Sequence, residues 1–316
     1  MWKNLIIVLL ALSLIALATL RFSEPKPPTQ VPTLAPAVED PPIPKPDDLT
    51  TLLQDMQAAP GFEAASIGFC LLGDSPAPLI NYRAGEAMTP ASTLKAVTSA
   101  TALEQLGPDF RFTTQLASTK PFTLATDGSF DGDLLLIGGG DPMLTAETFF
   151  DWAQELQTSG LTKLTGNIIA NAQHFPEQMI PNAWDWGDVS NYYGAGPSGL
   201  NLDFNRFLVT FNPGEAVGST PGYEMEPHIP WLQCQNLTQT VVKAASSWTS
   251  AYGGPYADTL TFRGHVPLES ETVICEAAIP DPAFYATWVF QQALEAAGIE
   301  FKGTLTTQRR LQLVKQ

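Results

Sequence analysis

The sequence predicts an α+β chain: helix, hairpin and helix in its first third, then a long, mostly β stretch closed by a further helix. Three observations predict it. Residues 65–72 and 79–82 are short apolar runs bounded by turn residues, the pattern of buried strands. Residues 92–106 are rich in Ala, Thr and Leu and are stopped by Gly107-Pro108, as helices commonly are. Asp281-Pro282-Ala283 opens another helical stretch that ends near Ala297-Gly298-Ile299.

Taken in order, the first element is not part of that fold. Lys3 precedes an apolar run from Leu5 to Leu20, and a positive start with a short apolar stretch marks an export signal. Ala16-Leu17-Ala18 resembles a small-residue cleavage site. The run is slightly shorter than the ~20 residues of a spanning helix. Residues 1–22 therefore read as a cleaved signal peptide or as a retained membrane anchor. Residues 23–46 follow as a linker, with nine prolines between Pro25 and Pro46. That composition packs no core and reads as an extended, polyproline-like spacer. Signal and spacer place the folded part in the cell envelope or periplasm, anchored or secreted.

Asp47-Asp48 cap a helix that runs through Leu52, Leu53 and Met56 and ends at Pro60-Gly61. Ala65 to Leu72 is a strand, Gly73-Asp74-Ser75-Pro76 a turn, and Leu79 to Tyr82 the return strand. The helix from Ser92 to Leu106 follows.

Composition narrows the function. With 316 residues, 44% of them hydrophobic, the chain can bury a sizeable core, as one large domain or two smaller ones. A formal net charge of −16 repels a phosphate backbone, which argues against nucleic acid. The same charge leaves the N-terminal segment as the one route to a membrane. The three cysteines form no C-x-x-C pair and the three histidines no H-E-x-x-H, so neither a metal site nor a metal cofactor is predicted. For the cysteines two readings stand. Cys234 and Cys275 pair in an oxidising compartment and leave Cys70 free, or all three are small buried residues.

Ser92 and Lys95 carry the chemistry. Three residues apart on a helix, their side chains share a face. A lysine buried on a largely apolar helix has its pKa lowered, and a neutral lysine beside a serine hydroxyl takes the proton and activates the nucleophile. The structural alternative is that Ser92 caps the helix. S-x-x-K by spacing alone is a weak signal, which the preceding strand, turn and strand strengthen.

The run Ala87-Met88-Thr89-Pro90-Ala91-Ser92-Thr93-Leu94-Lys95 resembles the nucleophile motif of the D-alanyl-D-alanine carboxypeptidase/endopeptidase family S13, the penicillin-binding protein 4-like family. Further segments are similar, in family order: Asp131-Gly132-Asp133-Leu134 into Gly138-Gly139-Gly140-Asp141-Pro142; Trp184-Asp185-Trp186-Gly187-Asp188 into Asn191-Tyr192-Tyr193; then Ser198-Gly199-Leu200-Asn201. The likeness runs from about Ala65 to Thr304. It implies a serine β-lactamase/penicillin-binding transpeptidase-like domain, incomplete here, made of residues 47–112 and 282–316 around a mostly β inserted region, 113–281. It implies Ser92 as nucleophile and Lys95 as general base in cleavage of peptidoglycan stem peptides through an acyl-enzyme, with β-lactams as acylating inhibitors.

The family completes its site with S-x-N and K-T-G, and neither triplet occurs in the sequence. Lys163-Leu164-Thr165-Gly166 and Ser198-Gly199-Leu200-Asn201 each carry an extra residue, and Lys302-Gly303-Thr304 has the order wrong. The chain is accordingly expected to be a C-terminally truncated member with an open sheet edge. A second reading is a non-catalytic, envelope-tethered peptidoglycan-binding or vestigial protein.

Other motifs have bland readings. Gly138-Gly139-Gly140 lacks the spacing and lysine of a phosphate loop and reads as a turn. Gly196-Pro197-Ser198-Gly199-Leu200 is not G-x-S-x-G, so no hydrolase elbow is predicted. Asn236-Leu237-Thr238 matches a glycosylation acceptor, which has no meaning in the bacterial host that the family implies. Trp184, Trp186, Tyr192 and Tyr193 either stack on sugar rings or belong to a core or interface. Asp185 and Asp188 have the residue types of a glycosidase pair, against which stands local hydrogen bonding in a loop.

Overall fold

The structure, a computed structural model, describes residues 46–62 and 64–314; residues 1–22 and, but for its last residue, the 23–46 linker lie outside the described residues. The chain forms two compact units, Met1–Ala100 and Thr101–Gln316.

In the first unit, helix α1 (Pro46–Ala58) has Asp47 and Asp48 in its first turn, where negative charge favours the positive end of the helix dipole. It packs on β2 (Pro78–Tyr82), which pairs antiparallel with β1 (Phe69–Leu72), Cys70 opposite Asn81 and Leu71 opposite Ile80. The first strand is shorter than the sequence predicted, because its partner ends early. Phe69 faces Tyr82, and the next residue, Arg83, turns into the left-handed region at φ 47. A 3₁₀ turn, Ala91–Thr93, leads into α2 (Leu94–Leu106). Among the described residues of this unit Ile80 is the one buried hydrophobic side chain.

The second unit starts from β3 (Gln115–Ser118), β4 (Ser129–Phe130), β5 (Leu134–Ile137), α3 (Ala146–Thr158), β6 (Lys163–Leu164) and β7 (Ile168–Asn171). It closes with α4 (Pro282–Ala296), β14 (Glu300–Phe301), β15 (Leu305–Thr307) and α5 (Gln308–Leu313). One sheet runs β15-β7-β5-β3, parallel except for β3; a second, β14-β6-β4, is parallel throughout. β5 and β7 read as continuous apolar runs, as parallel strands covered on both faces do. Residues 282–314, the described part of the segment that the sequence grouped with 47–112, pack within this second unit. The Phe290 ring of α4 meets Phe149 of α3 edge-on at 5.6 Å, and β14 and β15 pair with β6 and β7.

Between these pieces lie β8 (Arg206–Asn212), β9 (Gly222–Glu226), β10 (Gln233–Val241), β11 (Trp248–Tyr252), β12 (Thr259–Pro267) and β13 (Val273–Ala278). They form two three-stranded sheets, β13-β8-β9 and β10-β12-β11. Phe211 and Phe262, both fully buried, join the sheets with ring centroids 5.7 Å apart. Neither cysteine reading describes the molecule. Cys234 on β10 and Cys275 on β13 belong to different sheets and do not pair, and Cys70 is exposed.

Candidate functional site

The residues around Ser92 are shaped by a tight turn. Ala91 adopts φ 45, a left-handed conformation that costs a residue with a Cβ about 1–2 kcal/mol. The turn is closed by the Thr93 N–H donating to the Pro90 carbonyl at 3.0 Å, and the Thr93 hydroxyl donates to the same oxygen. This local strain sets Ser92 two residues ahead of Leu94, the first residue of α2. Lys95, one turn on, donates from Nζ to the Ser92 Oγ at 2.9 Å. Ser92 lies within the 3₁₀ turn, whose capping position is Pro90 and carries no side-chain cap bond. The expected burial of Lys95 is absent. Ser92, Lys95 and the neighbouring Leu94 and Val97 are all exposed, and α2 buries none of its residues.

The near-matches to the family's later motifs are engaged elsewhere, in the second unit. Lys163 on β6 pairs with Glu300 at 3.2 Å, and Lys302 pairs with the same carboxylate at 2.6 Å. Asn201 accepts from the Ser198 N–H at 2.8 Å and is buried, a structural use of both residues. Gly138 of the glycine run sits so close to the chain at Gly199 that a Cβ would meet its carbonyl oxygen at 2.2 Å. The run is thus a close crossing of two backbones.

The four aromatic residues singled out in the sequence are not core: Trp186 and Tyr193 are more than 60% exposed, Trp184 and Tyr192 at least 40%. Asp185 and Asp188 share one turn, the Asp188 N–H donating to the Asp185 carbonyl at 2.9 Å. Burial pushes the Cys234 thiol up to about 11, which keeps it from acting as a thiolate at neutral pH. Among the described residues no cluster of His, Cys, Asp and Glu is placed to hold a metal ion.

One feature of the second unit had no signal in the sequence. A groove of about 460 Å³ opens between the glycine run and the start of β8, lined by Phe175, Tyr192, Phe204, Asn201 and Asn205. Its residues are scattered over about seventy positions; Gly140, Pro142, Tyr192, Gly196, Pro197 and Asn201 stood in motifs, but Phe175, Phe204, Asn205 and Arg206 did not.

A serine hydroxyl bonded to a lysine amine one helical turn away is the arrangement found in serine acyl-transferring enzymes of the S-x-x-K class. Residues 49–315 match the D-Ala-D-Ala carboxypeptidase 3 (S13) family, and the chain belongs to that family. It is 29% identical over 268 residues to the D-alanyl-D-alanine carboxypeptidase of Actinomadura sp. (strain R39), covering 81% of this chain and 48% of that one. It is 24% identical over 252 residues to the D-alanyl-D-alanine carboxypeptidase DacB of Haemophilus influenzae, covering 76% and 50%. Penicillin-sensitive carboxypeptidase A of Dictyostelium discoideum is also 24% identical, covering 69% and 44%. The crystal structure of penicillin-binding protein 4 from H. influenzae superposes with a TM-score of 0.64 at 24% identity, over 73% of this chain and 51% of that one. This likeness shows the mixed α and β fold, over about half of that protein's length. The chain spans about half the length of the curated relatives it matches.

Proposed function

We propose that this chain carries the nucleophile of a serine-type D-alanyl-D-alanine carboxypeptidase/endopeptidase that acts on peptidoglycan stem peptides in the cell envelope. The observation that carries the reading is the 2.9 Å hydrogen bond between Lys95 Nζ and Ser92 Oγ. The Ser92 oxygen attacks the carbonyl carbon of the penultimate D-alanine while its proton passes to Lys95. The C–N bond to the terminal D-alanine breaks, and the departing nitrogen takes that proton. Water then hydrolyses the ester and frees the shortened stem. A β-lactam acylates the same oxygen by opening its ring amide. A crystal structure of the similar H. influenzae protein, matched with a TM-score of 0.56, is of a complex with a β-lactam, which fits this reading.

The family's S-x-N and K-T-G groups, which orient substrate and complete the oxyanion site, are not among these 316 residues. One lost oxyanion donor costs ~10²–10³ in rate, so the chain by itself acylates slowly and full turnover needs those groups supplied. The exposure of Lys95 favours a second reading, a non-catalytic protein that holds peptidoglycan.

Intact-mass measurement after incubation with a fluorescent penicillin separates the two. One adduct on the chain, absent from Ser92→Ala and strongly reduced in Lys95→Met, is the expected result. A folded chain that never gains the adduct mass leaves the binding reading.

A further inference from the structure

We infer that the groove of the second unit is a binding site for a neutral glycan strand, stacked on Phe204. This goes beyond the reaction at Ser92, and none of its residues belongs to that site.

The inference starts from the backbone. Asp203, Phe204 and Asn205 are three consecutive non-glycine residues in the left-handed region, with φ of 49, 60 and 54. Such residues persist only where the surroundings over-determine them, and they cluster at functional sites. Here the surroundings do so. The Asp203 N–H donates to the Leu144 carbonyl at 3.0 Å, and its carboxylate accepts from Ala146 N–H at the start of α3. The Asn205 N–H donates to the Leu202 carbonyl at 2.8 Å, and its carbonyl accepts from Ile279 at 2.7 Å. The Asn205 side chain accepts from the Leu202 N–H and donates to Asn201 and to the Gly196 carbonyl. All this order holds a large apolar ring out in water: Phe204 is 52% exposed. A core-building role would have turned it inward.

The rest of the groove suits a ring with one apolar face. Phe175 and the half-exposed Tyr192 supply further aromatic surface. Phe175 lies against Gly140, where a Cβ would strike its ring at 2.6 Å. Asn191 fixes the loop that bears Tyr192 by donating to the Gly187 carbonyl and accepting from the Ala251 N–H. The floor is rigid, because the Asn201 and Asn205 amides and the Gly196 carbonyl are bonded to one another and to the backbone. The one charged side chain lining the groove, Arg206, is held by Glu276 at 2.6 Å, with its guanidinium 5.3 Å from the Phe204 ring. The lining thus offers aromatic faces over a rigid floor, with no free charge. A pyranose presents the complement to such rings: an apolar C–H face, with its rim of hydroxyl or acetamido groups left to water. The volume, about 460 Å³, admits one or two sugar rings.

The test is calorimetric titration of the full chain with the N-acetylglucosamine tetramer. Saturable binding that survives Ser92→Ala, and so stands apart from the acylation test, is the expected result. Phe204→Gly is the informative variant, because glycine accepts the left-handed conformation without strain. It should weaken binding about tenfold while the melting temperature stays level or rises. Tyr192→Ala should weaken binding by a smaller factor. No saturable heat with the tetramer overturns the proposal, as does binding that Phe204→Gly leaves unchanged. A groove that instead takes a synthetic peptide of residues 25–46 and ignores the sugar would be a proline-rich peptide site, and the glycan assignment would fall.

Discussion

The two units differ most in what they bury. Among the described residues the first unit hides one large apolar side chain, Ile80, while Leu72, Leu79, Leu94 and Val97 are each more than half exposed. The second encloses Phe130, Phe149, Phe207, Phe211, Phe262 and Phe290 at 2% exposure or less. The first contributes the serine and lysine; the second holds the continuous core. A two-stranded hairpin, one helix and the first half of α2, with so little buried surface, have little hydrophobic free energy to set against chain entropy. The lesson is that the proposed Ser92–Lys95 pair and the main core are housed apart, so a change can strike one and spare the other.

Substitution of Phe290 should sharpen the contrast most. Phe290→Ala removes the ring that meets Phe149 and Trp152, and should cost about 3–5 kcal/mol in a denaturant titration followed through the second unit. A loss under 1 kcal/mol would mean that this core is not cooperative.

Asp281→Ala comes next. The Asp281 carboxylate accepts from the Phe284 N–H at 3.1 Å at the start of α4 and from Arg310 at 3.1 Å, and it is nearly buried. The expected cost is about 1–2 kcal/mol, again within the second unit.

Alkali should act on the same unit. Burial pushes the Tyr285 phenol up to about 12 and the Cys234 thiol up to about 11, from ordinary values of 10.0 and 9.0. The unfolded chain gives up these protons first. The stability they contribute is therefore whole below pH 9 and is lost as the pH rises through about 11 and 12. The melting temperature of the second unit should fall between pH 9 and 11, and less steeply in Cys234→Ser. An equal fall in that variant would remove the thiol from the account.

The smallest effect is expected on the other side of the comparison. Leu72→Ala, at 67% exposure, should change stability by no more than about 0.5 kcal/mol. A cost above 2 kcal/mol would break the contrast, because it would reveal burial in the first unit that these contacts do not contain.

Much of the outline was legible because it depends on neighbours along the chain. The turn at Gly73-Asp74-Ser75-Pro76 predicted the hairpin, and the stop at Gly107-Pro108 matched the end of α2 at Leu106. The pairing of Ser92 with Lys95 needed only the helical repeat. The lysine's surroundings were not legible. Burial of α2 depends on what packs over it, and periodicity says only that a helix forms. The unit that holds residues 282–314 was not legible for the same reason. The sequence marks a helix at Asp281-Pro282, and only the packing of Phe290 on Phe149 assigns it to the second unit.

The sequence by itself determined the family, the α+β class, the net charge that argues against nucleic acid, and the serine and lysine one helical turn apart. Each is local or additive along the chain. Only the tertiary structure decided that the core and the Ser92–Lys95 pair fall in different units, that Cys234 and Cys275 stay apart, and that Phe204 stands exposed above a floor of buried amides. Those depend on residues tens of positions apart meeting across sheets and loops, where strain, burial and hydrogen bonding are settled by three-dimensional packing.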